Sequence, residues 1–215
     1  MCGIVGYVGE KQAANFLIDG LTKLEYRGYD SAGIAVFDGE KINVAKSVGR
    51  LAALKEKIKN NTPEGVMGIG HTRWATHGRP SDVNSHPHTD CSGKFAIVHN
   101  GIIENFMSLK EELIAKGHKF VSETDTEVVA HLIEDVYEGD FVEAVNKVLN
   151  RIEGSYSLAF MCQDYPDTLI CTKKDNPLVI GLGEGENFIA SDIPAIIAYT
   201  RRTYIMNDGE IAVVK

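Results

Sequence analysis

A cysteine stands at position 2 of the chain, directly after Met1. An initiator methionine is commonly removed when the next residue is small, and removal would leave Cys2 with a free α-amine. The reference pKa of an α-amine is about 7.7–8.0, which suits a general base near neutral pH. One residue would then supply both a nucleophilic thiol and its base. The alternative is a small cysteine buried at the start of a strand, which is common for this residue type.

The segment His71–Gly78, with the sequence HTRWATHG, is rich in hydrogen-bonding side chains. Arg73 presents a planar set of donors that suits a carboxylate, and Trp74 offers a flat apolar wall beside it. This combination could bind the carboxylate of an amino acid. The alternative is a solvated loop whose arginine pairs with a surface acid.

Two further positions could complete such a site. The side-chain amide of Asn100 and the backbone N–H of Gly101 could both donate to a developing oxyanion, although Asn-Gly is also a common turn pair. Asp125 stands at the start of a predicted helix, where its carboxylate could bind an ammonium group. It could equally complement the helix dipole or join the N-cap.

Two other patterns suggest ligands but lack the expected context. The pattern His86-x-His88-x-x-Cys91 contains metal-binding residue types, but the sequence shows no partner cluster that would complete a four-ligand zinc site. The glycines at 181, 183 and 185 lie between two strand-like segments rather than before a helix. We interpret them as a turn and not as a nucleotide-binding loop.

The elements that must position these residues are strands, hairpins and helices in mixed order. Apolar residues at helical spacing predict helices at 14–24, 51–58, 109–114, 128–136 and 144–149, and Thr124-x-x-Glu127 fits a capping box. Strands are predicted at 3–8, 34–37, 42–45, 66–70, 95–98, 155–162, 167–172, 177–181, 186–191, 203–206 and 210–214. Asp38-Gly39 predicts a hairpin turn and 207–209 another. Residues 71–94 are left as a long loop, and the order favours antiparallel sheets covered by helices.

Composition excludes several classes of protein. The chain has 215 residues, a formal net charge of −8 and 44% apolar residues, which is typical of a globular domain. It has no apolar stretch of about 20 residues, so no membrane-spanning helix is expected. The N-terminus does not resemble a signal peptide, and four cysteines without a C-x-x-C pair favour a reducing cytoplasm. The acidic balance argues against a nucleic-acid partner.

Five motifs together resemble those of one family: CGIVG at 2–6, YRGYDSAG at 26–33, HTRWATHG at 71–78, HNGIIEN at 99–105 and SETDTE at 122–127. The chain resembles a class II glutamine amidotransferase, which is an N-terminal nucleophile hydrolase. The resemblance covers residues 2–215, which we expect to form one glutaminase domain. It implies an α+β fold in which two mainly antiparallel sheets form a four-layer αββα sandwich.

The resemblance also implies roles for individual residues. Cys2 corresponds to the nucleophile, with its α-amine as base, and Asn100 and Gly101 correspond to the oxyanion hole. Arg73 would hold the α-carboxylate of L-glutamine and Asp125 its α-ammonium group. Pocket-lining or supporting roles are implied for Trp74, Thr76, His77, Arg27 and Gly28. The glutamine amide would be hydrolysed through a γ-glutamyl thioester, without a metal or an organic cofactor.

The forms of the motifs at 29–33 and 72–77 are most similar to the aminosugar-forming members of the family. Those proteins carry two sugar-isomerase domains after this region, so we expect the chain to be one domain of a longer protein. Fructose 6-phosphate would then be reached only through those missing domains, and the longer protein is expected to be a homo-oligomer. The alternatives are the glutaminase domain of another class II amidotransferase and a non-catalytic domain that only binds glutamine.

Overall fold

The computed structural model describes residues 2–215. The predicted removal of Met1 therefore lies outside the described residues. The strands are Gly3–Val8 (β1), Ser31–Phe37 (β2), Ile42–Val48 (β3), Met67–Arg73 (β4), His88–Thr89 (β5), Phe95–Ile103 (β6), Gly154–Cys162 (β7), Leu169–Lys174 (β8), Val179–Leu182 (β9), Asn187–Ala190 (β10), Thr203–Ile205 (β11) and Ile211–Val214 (β12). The helices are Ala13–Leu24 (α1), Leu51–Ile58 (α2), Phe106–Ala115 (α3), Thr126–Val136 (α4) and Phe141–Leu149 (α5).

The strands form two antiparallel sheets. The larger sheet has seven strands in the order β11-β9-β10-β1-β4-β2-β3, and the smaller has five in the order β12-β8-β7-β6-β5. Strand β1 lies in the middle of the larger sheet, between β10 and β4. Cys2, the residue before β1, is therefore attached to a central strand that is paired on both sides.

Three apolar clusters separate four layers. In β1, Val5 and Tyr7 pack with α1 and α2, whereas Ile4 and Val8 face the smaller sheet. Strand β6 of the smaller sheet is buried on both faces in the same way, with one set of side chains against α3, α4 and α5 and the other between the sheets. Strands buried on both faces have continuous apolar sequences. This arrangement confirms the predicted four-layer αββα sandwich.

Strand β6 is longer than predicted, and this corrects the interpretation of Asn100 and Gly101. The prediction ended the strand before Asn100 and allowed a turn there, but β6 continues to Ile103 and pairs along its whole length with β7. Gly101 stays in the ladder at a φ of 123°, which a glycine adopts without steric cost. The predicted loop at 71–94 is also shorter, because β4 extends to Arg73 and β5 lies within it.

The turn predicted at 207–209 is not a hairpin. Strand β11 pairs with β9 in the larger sheet, whereas β12 pairs with β8 in the smaller sheet. The segment between them therefore crosses from one sheet to the other. By contrast, β2 and β3 form the predicted hairpin around Asp38-Gly39, and β9 and β10 are joined by the predicted glycine-rich turn.

The start of α4 carries half of the predicted capping box. The Thr124 hydroxyl accepts a hydrogen bond from the backbone N–H of Glu127 at 3.4 Å. The Glu127 carboxylate accepts from the N–H groups of Val121 and Ser122, at 2.8 and 2.7 Å, rather than from that of Thr124. Asp125 occupies the N-cap position of α4, but its carboxylate makes no capping hydrogen bond and accepts instead from the N–H of Ile103.

Within residues 2–215, the structure contains no helix that is both long enough and apolar enough to cross a membrane.

Candidate active site

A cavity of ≈ 280 Å³ is lined by residues of both sheets and of the start of α4. Small-molecule sites are typically concave, with a few convergent polar groups. Nine of the ten predicted site residues line the cavity: Cys2, Arg27, Arg73, Trp74, Thr76, His77, Asn100, Gly101 and Asp125. The tenth, Gly28, lies against the backbone of β4, where an added Cβ would be 2.7 Å from the carbonyl oxygen of Arg73.

Cys2 is held by contacts from three directions. Its carbonyl oxygen accepts from Nε of Arg27 at 2.9 Å and from Nδ2 of Asn100 at 3.1 Å. Its Sγ accepts from the backbone N–H of Trp74 at 3.1 Å. Burial raises the pKa of the Cys2 thiol, and the hydrogen bond from Trp74 offsets only part of this effect. Near neutral pH the sulfur is therefore a thiol, and it needs a base before it can act as a nucleophile.

The amide of Asn100 is oriented by His71, a fully buried residue of β4. Nε2 of His71 lies 3.0 Å from Oδ1 of Asn100 and 3.0 Å from the carbonyl oxygen of His99. Burial lowers the pKa of His71 to about 3, so the ring is neutral near pH 7. Two oxygen acceptors at Nε2 assign the proton to that nitrogen. The amide nitrogen of Asn100 is consequently turned toward Cys2.

Gly101 lies where β6 comes very close to β7. A Cβ at this position would be 2.0 Å from the carbonyl oxygen of Ser155. Together with the positive φ of the residue, this contact excludes any side chain. Glycine therefore allows the backbone beside Asn100 to line the cavity.

Arg73 places a positive charge at the cavity, although its side chain is only 3% exposed. Its Nη2 donates to the carbonyl oxygens of His77 and Gly78, the latter at 2.9 Å. Its Nη1 is buried and has no hydrogen-bond partner among residues 2–215. Buried donors in proteins are nearly always paired, so this nitrogen indicates a site for an acceptor from a ligand.

Asp125 places a negative charge at the same cavity. Its Oδ2 accepts from the backbone N–H of Ile103 at 2.8 Å, and its Oδ1 is 3.5 Å from the hydroxyl of Thr126. The carboxylate is almost fully buried, and no cation is hydrogen-bonded to it among the described residues. A cavity that holds the buried guanidinium of Arg73, with its unpaired Nη1, and the buried carboxylate of Asp125 suits a zwitterion, such as a free amino acid.

The 26–33 motif supports the rim of the cavity. The carboxylate of Asp30 accepts from the backbone N–H of Ala75, and the ring of Tyr29 packs edge-to-face on Trp74 at 5.3 Å. Trp74 remains 48% exposed at the rim. These contacts connect the loop that follows β4 to the segment before β2.

Sequence reasoning missed other lining residues: His86, His99, Ile102, Thr124, Thr126, Ser155 and Asn176. Four of them lie inside the motifs at 99–105 and 122–127, which signalled the site but not their individual positions. The ring of His99 bonds through Nδ1 to the hydroxyl of Thr126 at 2.9 Å, and burial lowers its pKa. Ser155 and Asn176 have no recognisable signal in the sequence. Ser155 reaches the cavity through the pairing of β6 with β7, and Asn176 through the segment between β8 and β9.

The pattern His86-x-His88-x-x-Cys91 does not form a common ligand set. The ring of His88 bonds through Nε2 to the hydroxyl of Thr124 at 3.0 Å. The sulfur of Cys91 instead lies 3.6 Å from Nδ1 of His131, a residue of α4.

Comparison with known proteins identifies the family. The sequence profile of a glutamine amidotransferase domain matches residues 71–198. The chain belongs to the glutamine amidotransferase domain family. The charges of Arg73 and Asp125 in the cavity are compatible with the zwitterionic end of an amino acid.

Individual relatives extend the match to the whole chain. The chain is 60% identical to a glutamine–fructose-6-phosphate aminotransferase (isomerizing) of Caldanaerobacter subterraneus subsp. tengcongensis over 215 residues, which is 100% of this chain and 35% of that protein. The corresponding protein of Thermococcus kodakarensis is 53% identical over 216 residues, again 100% of this chain and 36% of that protein. The chain thus spans about a third of the length of the curated relatives it matches.

Solved structures confirm the fold. The glutamine phosphoribosylpyrophosphate amidotransferase of B. subtilis superposes with a TM-score of 0.82 at 28% identity, covering 99% of this chain and 48% of that one. A structure described as the allosteric regulatory enzyme of purine biosynthesis gives a TM-score of 0.85 at 29% identity, covering 99% of this chain and 46% of that one. These neighbours confirm the predicted N-terminal nucleophile hydrolase fold of the amidotransferase domain.

Proposed function

We propose that the chain hydrolyses the side-chain amide of L-glutamine to glutamate and ammonia, with Cys2 as nucleophile. One observation carries the proposal: the Cys2 thiol shares a small cavity with a buried guanidinium that has a free donor and with a buried carboxylate. Arg73 would bind the α-carboxylate of glutamine through Nη1, and Asp125 would bind the α-ammonium group. These two contacts direct the side-chain amide toward Cys2.

In the first half of the reaction, the Cys2 thiol transfers its proton to its own α-amine, and the sulfur attacks the amide carbon of glutamine. The carbonyl oxygen becomes an oxyanion, to which Nδ2 of Asn100 and the N–H of Gly101 would donate. Nδ2 carries two hydrogens, and only one is used in its bond to the Cys2 carbonyl. The α-ammonium group then protonates the departing nitrogen, and ammonia leaves a γ-glutamyl thioester on Cys2.

In the second half, the α-amine removes a proton from water, and the resulting hydroxide attacks the thioester. The same oxyanion donors would stabilise the second tetrahedral intermediate. When the carbon–sulfur bond breaks, the α-ammonium group returns its proton to the sulfur and glutamate is released. His77 and Thr76 line the cavity, and with Trp74 at the rim they would limit access of bulk water.

The role of the domain in a longer protein is also a proposal. We take residues 2–215 as one glutaminase domain whose ammonia would be used, in a protein of the length of its relatives, to convert fructose 6-phosphate to glucosamine 6-phosphate. Identities of 53–60% to glutamine–fructose-6-phosphate aminotransferases support this acceptor over the phosphoribosylpyrophosphate in the name of the B. subtilis neighbour, which is 28% identical. Homo-oligomerisation of the longer protein and a cytoplasmic location stay predictions from the sequence.

The experiment that tests the proposal combines intact-mass spectrometry with an assay of glutamate release. The protein is measured before and after treatment with a glutamine-mimicking electrophile. We expect a chain without Met1, steady glutamate release and a single adduct whose formation abolishes activity. Because the α-amine exists only after removal of Met1, any molecules that retain Met1 should be inactive.

Matched cysteine variants locate the adduct. Cys2→Ala should lose both the adduct and glutamate release, whereas Cys91→Ser, which changes an exposed cysteine outside the cavity, should keep the adduct. Full activity with Met1 retained would refute the role of the α-amine. A chain that lacks Met1, binds glutamine and neither releases glutamate nor takes the label would establish the non-catalytic alternative.

A further inference from the structure

A second group of chemically distinctive side chains lies outside the cavity. Cys91, His118, His131 and Glu134 each offer one ligand atom, and these four atoms all lie within 4.8 Å of one another. None of the four residues lines the proposed active site. They come from three parts of the chain: Cys91 from the turn before β6, His118 from the link between α3 and α4, and the other two from α4.

Two of the distances between the four ligand atoms match those around a tetrahedral ion. Bonds of about 2.0–2.3 Å to nitrogen, oxygen and sulfur place the ligand atoms of a tetrahedral zinc ion about 3.3–3.6 Å apart. Sγ of Cys91 lies 3.6 Å from Nδ1 of His131, and Nδ1 of His131 lies 3.4 Å from Oε2 of Glu134. Nδ1 of His118 is closer to the same carboxylate oxygen, at 2.9 Å. Small side-chain movements would therefore bring all four atoms to bonding distance of one ion.

The surroundings of His131 provide an outer contact typical of metal sites. Its Nδ1 faces Cys91 and Glu134, and its Nε2 lies 3.4 Å from Oε1 of Glu127. Histidine ligands of metals usually donate their other ring N–H to a carboxylate, which fixes the tautomer and the ring orientation. His131 is only 1% exposed, so its ring cannot turn away to solvent.

We propose that Cys91, His118, His131 and Glu134 bind one zinc ion in a structural site. One thiolate, two neutral imidazoles and one carboxylate form a ligand set suited to zinc, and their two negative charges balance its charge of +2. Calcium and magnesium prefer oxygen ligands, so neither fits this set. Four protein ligands leave no open position for a substrate, which makes the site structural rather than catalytic.

Binding replaces a proton with the metal ion at the sulfur. The reference pKa of a cysteine thiol is about 8.5, and only the thiolate binds a metal. Zinc binding therefore releases a proton from the Cys91 sulfur to solvent, and the apparent affinity should increase with pH.

The site would connect α4 to the rest of the smaller-sheet layer. The C-terminal half of α4 carries His131 and Glu134, and the residue before its first turn is Asp125, which lines the cavity. An ion shared with Cys91 and His118 would join this helix to the turn before β6. The proposal does not depend on the glutaminase mechanism.

The test measures metal binding directly. Metal-free protein is titrated with zinc in competition with a chromophoric chelator, and the metal content is measured by mass spectrometry. We expect one zinc per chain and, at free zinc about a hundred times Kd, a rise in Tm of about 5–10 °C. Substitution with cobalt(II) should produce a thiolate-to-cobalt charge-transfer band and the visible absorption of tetrahedral coordination.

Variants separate this site from other zinc-binding groups. Cys91→Ser should abolish the thiolate band and weaken zinc binding more than about tenfold, and Glu134→Gln should weaken binding while keeping the band. Glu138→Gln removes a nearby exposed carboxylate outside the cluster and should bind zinc like the parent. Cys2→Ala should also bind one zinc, because its thiol lies in a different site.

Three outcomes would overturn the proposal. The first is a chain that takes up no stoichiometric zinc, in which case the four side chains form a hydrogen-bonded cluster only. The second is unchanged binding in Cys91→Ser. The third is binding lost in Cys2→Ala, which would assign the metal to the catalytic thiol.

Discussion

Nε2 of His71 donates a hydrogen bond to Oδ1 of Asn100, 3.0 Å away, across the interface between the two sheets. His71 belongs to β4, which pairs with the strand that follows Cys2, and Asn100 belongs to β6. The bond therefore sets the orientation of a proposed oxyanion donor relative to Cys2, whose carbonyl oxygen accepts from the same amide. Because burial lowers the pKa of His71 to about 3, this orientation persists across the physiological pH range.

Asn100→Ala should lower kcat for glutamine hydrolysis about 10²–10³-fold, because one oxyanion donor is removed. The KM for glutamine should change little, since the α-carboxylate and α-ammonium contacts remain. Steady-state kinetics of glutamate release measure both quantities. Asn43→Ala, at a surface position on β3, is the matched control and should leave kcat unchanged. A large rise in KM without a fall in kcat would assign Asn100 to substrate binding instead.

Arg73→Gln should raise the KM for glutamine about 10–100-fold, since a charge-assisted contact is worth about 1.5–3 kcal/mol. The same variant should change little for a glutamine analogue in which hydrogen replaces the α-carboxylate. Arg73 also donates to the carbonyl oxygens of His77 and Gly78, so its replacement could loosen that backbone. Loss of the carboxylate contact would lower kcat/KM for glutamine alone, whereas a loosened backbone would lower it for both substrates. Arg79→Gln, at an exposed position in the same segment, is the control. Equal losses for both substrates would indicate that Arg73 acts only by holding the loop.

Gly101→Ala should destabilise the protein severalfold more than Gly39→Ala. Both glycines have positive φ, at 123° and 101°, so both variants incur the backbone cost of about 1–2 kcal/mol. Only Gly101 adds a steric conflict, with Ser155, because an added Cβ at Gly39 meets nothing within 4 Å. Urea unfolding of the two variants compares their free energies of unfolding. Similar losses would mean that β6 can move away from β7 at this point.

Acidification from pH 7 to pH 5 should destabilise the protein through its buried histidines. Burial lowers the pKa of His88 well below its usual value, with a smaller effect from the charge of Lys46. The unfolded chain therefore binds more protons below about pH 6.5, and the free energy of unfolding falls by at most about 1.4 kcal/mol per pH unit for each such histidine. This stability is present above the unfolded pKa and is lost as the pH falls toward the folded value.

His88→Gln should lower the slope of the free energy of unfolding against pH between pH 6.5 and pH 5. The decrease should correspond to about one proton fewer taken up on unfolding. Urea unfolding midpoints measured across this pH range give the slope. Glutamine can still bond to Thr124, so the variant should fold. His77→Gln, at a half-buried position, is the comparison variant. An identical slope in His88→Gln and the parent would show that His88 does not contribute to the acid sensitivity.

Local patterns determined most of the elements. The spacing of apolar residues placed the five helices of the described chain, and short runs of apolar residues marked buried strands such as β1 and β6. The motifs also predicted nine residues that line one cavity. The helices and the β2–β3 hairpin were predictable because helix faces and hairpin turns depend on residues that are close in the chain. The grouping of the site residues came instead from the family resemblance, and their roles stay predictions.

Features that depend on pairing between distant segments needed the tertiary structure. The sequence alone proposed Cys91 with His86 and His88, but the fold brings Cys91 to His118, His131 and Glu134. In the structure, β6 also continues through Asn100, and the segment at 207–209 connects a strand of the larger sheet to a strand of the smaller sheet. Residue types and short spacings set the available chemistry, whereas the packing of two sheets and their helices decides which side chains meet, because those contacts join residues far apart in the chain.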